Sequence, residues 1–171
     1  MALATTPAIV RPKKIVELGE LTVDYDETIA AKIAWNGDPK RIAWNTPLAT
    51  DENFPDKNTG KIVYDASAWH FGVWMPKDVL KASVEAEGKI LGTPKPLIDS
   101  AIRNPRPKLD NIMPLVAAGQ EFVGARRHRY ALYLDRHGGK RYLDFVLLDS
   151  DEEWVDRWLF LVLAGARPLR A

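Results

Sequence analysis

Apolar and polar residues alternate most cleanly late in the chain. Tyr130, Leu132 and Leu134 stand at every second position, and Leu143, Phe145 and Leu147 do the same after Gly138-Gly139. Period-two alternation predicts strands, and a glycine pair between two such runs predicts a hairpin turn. A two-residue loop pairs Leu134 with Leu143, Leu132 with Phe145 and Tyr130 with Leu147. Leu21–Tyr25, Lys61–Tyr64 and Trp69–Met75 also read as strands.

Helical spacing occurs in two places. Pro76 opens a helix from about Lys77 to Glu87, with Val79, Leu80, Ser83 and Val84 along one side and Gly88 as its stop. Further on, Ser150 and Glu153 are spaced as a capping box, and Trp154, Trp158, Leu161 and Val162 follow at helical intervals. Leu159, Phe160 and Leu163 make the second half apolar nearly all round, which predicts burial. The fold class expected is α+β: an antiparallel sheet, covered on one side by helices, with a C-terminal β-hairpin followed by a capped apolar helix packed on the sheet.

Breakers and repeats mark the rest. Residues 1–14 read as a flexible N-terminal arm, and 15–171 as a single α+β domain. Prolines 94, 96, 105, 107 and 114 predict a connector at about 92–114, with room for one short helix, Leu97–Arg103. Ile33-Ala34-Trp35-Asn36 recurs as Ile42-Ala43-Trp44-Asn45. Two structures compete there. Asp26 caps a helix that carries Ile29 and Ile33, or Gly37 to Lys40 turn a hairpin that sets Ile33 against Trp44 and Trp35 against Ile42. The alanines before Lys32 favour the helix.

Composition narrows the chemistry. The chain has 171 residues and no cysteine, which removes disulfides, thiol nucleophiles and cysteine-bound metals. The N-terminus has no basic start followed by an apolar run, so it does not read as a signal peptide, and no segment approaches the ~20 apolar residues of a membrane span. A cytoplasmic setting without membrane partners is expected. Phosphate-binding glycine loops, zinc-protease and serine-hydrolase signatures are all missing from the sequence. No cofactor or metal is expected.

Charge changes the picture more. The net charge is +1, yet residues 103–141 hold nine Lys/Arg against three Asp/Glu, net +6, between a stretch of −2 and one of −3. This block predicts a phosphate-contacting surface of Arg126, Arg127, Arg129, Arg136, Lys140 and Arg141, with Tyr130 available to stack on a base. The expected function is a non-enzymatic macromolecule-binding protein that contacts nucleic acid or a nucleoprotein complex through this surface. The alternative is a protein-interaction or assembly subunit, structural or inhibitory, that uses Trp35 and Trp44 among the six tryptophans. A second alternative is a small ribonuclease. His128 and His137, on neighbouring strands near Asp135 and Asp144, would activate a 2′-hydroxyl.

Overall fold

A computed structural model of the chain describes residues 6–34, 42–102, 111–149 and 157–170. Three helices and eight strands are described in the order β1 (Lys14–Asp24), α1 (Ile29–Ala34), β2 (Trp44–Asn45), β3 (Lys61–His70), α2 (Lys77–Glu85), β4 (Ile90–Leu91), α3 (Pro94–Ile102), β5 (Leu115–Val123), β6 (Arg129–His137), β7 (Lys140–Leu147) and β8 (Leu159–Pro168). All strands join one sheet in the order β1-β3-β8-β5-β6-β7-β2, with β4 also paired to β8. The class is α+β, dominated by sheet.

The hairpin is where local sequence prevails. β6 and β7 pair with Tyr130 opposite Leu147, Leu132 opposite Phe145 and Leu134 opposite Leu143. Gly138 and Gly139 both have positive φ, 57° and 76°, as a two-residue turn with the twist of the flanking strands requires.

The sheet is mixed rather than antiparallel, because β5 pairs parallel to β8 and β2 parallel to β7. It is also covered on both sides. One core gathers Ile29 of α1, Leu97, Ile98 and Ala101 of α3, the loop residues Ala49 and Phe54, and the strand residues Leu132, Leu143, Leu161 and Leu163. The other gathers Leu80 and Val84 of α2 with Trp69, Phe71, Val116, Val146, Phe160 and Val162.

This two-sided cover explains the largest correction. The expected apolar helix is absent at Leu159–Pro168, which is the strand β8, flanked in the sheet by β3 and β5. Phe160 and Val162 enter one core and Leu161 and Leu163 the other, so a strand in this position needs an unbroken apolar run. Such a run satisfies a buried helix equally well, and periodicity alone does not separate them. The expected cap residues Ser150 and Glu153, and Trp154, lie outside the described residues.

Other differences are smaller. The two strands expected at 61–64 and 69–75 are one, β3, which ends at His70. β1 is longer than Leu21–Tyr25 because a register shift between Glu17 and Gly19 interrupts the alternation, leaving Leu18 and Leu21 both buried three positions apart. The first part of the expected connector is α3, whose Pro94 and Pro96 occupy its first turn, where a missing N–H costs little. Residues 103–110 lie outside the described ones. α1 forms at 29–34, and Trp44 pairs with Tyr142 of β7, so Ile33 and Trp44 are not hairpin partners. The Thr28 hydroxyl, rather than Asp26, accepts the first-turn Ala31 N–H at 3.0 Å, while Asp26 accepts from the Gly60 N–H at 2.8 Å.

Candidate functional site

The described members of the cationic block do not form one surface. They sit on β6, on the start of β7 and on the turns at the two ends of β6. Arg126, Arg127 and His128 lie in the tight turn between β5 and β6, closed by the Gly124 N–H donating to the His128 carbonyl at 2.9 Å. Arg136, His137 and Lys140 lie at the opposite end, on the tip of the β6–β7 hairpin. Arg129 and His137 are the first and last residues of β6, about 27 Å apart at about 3.4 Å per residue.

Between these poles the cations are committed to the protein. Arg129 donates through Nε and Nη2 to Asp149 Oδ1 at 2.9 and 2.6 Å, and its backbone N–H reaches Asp149 Oδ2 at 3.0 Å. The guanidinium hydrogen bond holds the Asp149 carboxyl below the ordinary carboxylate range and raises Arg129 in turn. Glu121 receives Lys77 at 2.8 Å and stands 4.0 Å from Arg129, which links α2 to this cluster. Arg141 is buried, and its Nη1 donates to the Ala101 carbonyl at 3.0 Å. It satisfies a carbonyl at the C-terminal end of α3, where a cation also suits the helix dipole. The Tyr130 ring packs edge-on against Phe145 at 5.2 Å.

At the tip, Arg136, His137 and Lys140 are all exposed and make no ion pair among the described residues. A side chain built at Gly138 or Gly139 would meet nothing within 4 Å, so the turn projects into open space. Arg126, Arg127 and His128 are likewise exposed, with Arg127 at φ 61°.

His128 and His137 are therefore at opposite ends of one strand rather than on neighbouring strands, and the expected convergence with Asp135 and Asp144 is not formed. His70 sits at the end of β3, where its Nδ1 lies 3.1 Å from the Trp158 carbonyl oxygen. No group of three or more metal-ligating side chains occurs among the described residues. No described helix is long and apolar enough to cross a membrane. Trp44 is 47% exposed at the outer edge of the sheet, and Phe145 of the neighbouring β7 is 39% exposed. Trp35 lies outside the described residues.

Sequence reasoning passed over the most deeply buried charges. Lys32 of α1 and Asp99 of α3 have no exposed side-chain surface and pair at 2.5 Å. Asp99 Oδ2 also accepts the Asp24 N–H at 3.2 Å. Nearby, Lys95 Nζ donates to the Tyr25 carbonyl at 2.7 Å and stands 3.4 Å from Asp51, whose other oxygen accepts the Ile29 N–H at 2.8 Å. The Tyr25 and Tyr64 hydroxyls share a buried hydrogen bond of 2.9 Å, and burial raises both phenols above their ordinary range. These groups bind α1, α3, β1 and the loop before β3 to each other, which is the work of a clamp. The signal was a lone acid in the apolar helix Pro-Leu-Ile-Asp-Ser-Ala-Ile.

In comparisons with known proteins, no family model, no curated protein and no solved structure matches this chain.

Proposed function

We propose that the protein is a non-enzymatic binding protein that contacts a polyanion, nucleic acid or a nucleoprotein complex, through the tip of the β6–β7 hairpin. The observation that carries this reading is the set Arg136, His137 and Lys140: exposed, without carboxylate partners among the described residues, and set on a turn that stands clear of the body. The contact is narrower than the whole block at 103–141, because Arg129 serves Asp149 and Arg141 serves α3. Arg126 and Arg127 form a second, separate cationic pole. A two-stranded ribbon with a basic end is a shape that enters a nucleic-acid groove.

Anisotropy titrations of labelled single-stranded and duplex oligonucleotides at two salt concentrations test the reading. Each lost phosphate contact reduces the slope of log affinity against log salt by about 0.9 on duplex DNA. Arg136→Ala with Lys140→Ala should flatten the slope by about two such steps, and Arg126→Ala with Arg127→Ala should leave it nearly unchanged. Failure of the unaltered protein to bind at low salt overturns it.

A second reading has its own support. Trp44 exposes aromatic surface at the outer edge of the sheet, on β2, which suits a protein-interaction or assembly subunit. Light scattering across a concentration series, with Trp44→Ser as the control, separates the two readings.

A further inference from the structure

We propose that the groove between α2 and the end of β3 is a docking site for an extended peptide carrying an aliphatic side chain, occupied in this structure by the chain's own residues 6–13. The inference is independent of the hairpin tip.

The segment before β1 has no regular structure, and most of its residues are exposed. Val10 and Pro12 are the exceptions: both are partly buried, and Val10 packs on the core of Trp69, Phe71 and Leu80. Its N–H donates to the Ser83 hydroxyl at 2.9 Å. Ser83 is itself 1% exposed, and its hydroxyl donates to the Val79 carbonyl at 2.7 Å, which fixes its lone pairs toward the incoming segment. Three residues on, the Lys13 N–H donates to the His70 carbonyl at 2.8 Å. The Lys13 side chain lies over Gly72, where a Cβ would stand 2.7 Å from it. Gly72 has φ 69°, so the chain both needs a glycine to turn there and leaves a slot by having one.

The groove thus offers an apolar pocket, a preset acceptor for the backbone N–H of the residue that fills it, and a carbonyl for a second N–H three positions on. Nothing in that recognition requires the occupant to be covalently attached. Tethering gives the native segment a millimolar effective concentration, so it acts as an internal competitor against a free segment of the same chemistry. One anchoring side chain and two backbone bonds make it the cover most readily displaced.

The test uses the full chain and a fluorescein-labelled synthetic peptide with the sequence of residues 6–14. Val10→Asp in the protein disfavours its own segment, and the peptide should bind this variant at least tenfold more tightly than it binds the unaltered protein. Adding Ser83→Ala should weaken peptide binding several-fold, and a peptide with aspartate at the Val10 position should not bind. Hydrogen exchange on the unaltered protein is the second measurement. The Val10 and Lys13 amides should exchange at least a hundredfold faster than those of β8, by opening that leaves the sheet intact. Equal peptide binding to both proteins, no binding to a folded Val10→Asp variant, or protection at Val10 equal to that of β8 overturns the proposal.

Discussion

On the side of the sheet under α1 and α3, charged groups are carried into the core: Lys32 and Asp99 without exposed surface, Lys95 beside Asp51, and the Tyr25–Tyr64 hydroxyl pair. On the side under α2, the cover is aliphatic and aromatic, and a buried serine hydroxyl holds the N-terminal segment. Both sides bury apolar side chains of the same strands, so the hydrophobic effect does not distinguish them. They differ in how strictly one arrangement is imposed. A buried ion pair is costly to alter at one partner alone, whereas an apolar contact accepts a change of similar volume. The helices of the first side are positioned by specific pairs, and the cover of the second side by shape.

The sharpest way to break this contrast is Asp99→Ala. It removes the nearest partner of the Lys32 ammonium, leaving Glu27 at 3.7 Å, and removes the acceptor of the Asp24 N–H. Loss of one partner of a buried pair costs about 4 kcal/mol, while Lys32→Met with Asp99→Leu together should recover most of it. Urea denaturation of the three proteins measures this, and a double variant no more stable than Asp99→Ala alone would break the contrast. On the other side, Leu80→Ala should cost about 3 kcal/mol by leaving a cavity, with no second-site charge able to restore it. Ser83→Ala removes the acceptor of the Val10 N–H and should cost about 1 kcal/mol in the same assay.

Titration sharpens the contrast further. Burial raises Tyr25 above its ordinary value of 10.0, and Tyr64 also rises. Phenols held protonated in the folded state contribute stability below pH 10, which is lost as pH climbs toward the folded values. Tyr25→Phe with Tyr64→Phe should flatten the alkaline limb of a stability-versus-pH curve. Asp149, on the side of Lys77 and Arg129, behaves oppositely: its lowered value contributes stability above the ordinary value of 3.8, lost as pH falls through the folded one. That pair is largely exposed, so Arg129→Ala should remove only about 0.5 kcal/mol, and less at high salt.

What could be read in advance follows the range of the interactions. The β6–β7 hairpin was legible because its alternation and its glycine turn are adjacent in the chain. The helix at 77–85 was legible because Pro76, the spacing of Leu80 and Val84, and Gly88 all lie within one segment. β8 was not, since the unbroken apolar run from Trp158 to Ala164 states that both sides are covered without stating by what. The basic block was legible as a composition. Its separation into two poles was not, because the length of β6 and the demands of Asp149 and of the end of α3 decide which cations remain free.

The sequence by itself determined the hairpin and its register, the helix α2, the absence of thiol chemistry, and the number of cations between residues 103 and 141. Each of these is set by neighbours in the chain or by simple count. Tertiary structure alone decided that Leu159–Pro168 is a strand, that Lys32 and Asp99 meet across 67 positions, and that Arg141 is spent on α3. The physical reason is common to all three: burial on two sides and the pairing of distant charges are properties of what surrounds a residue after the chain has closed on itself.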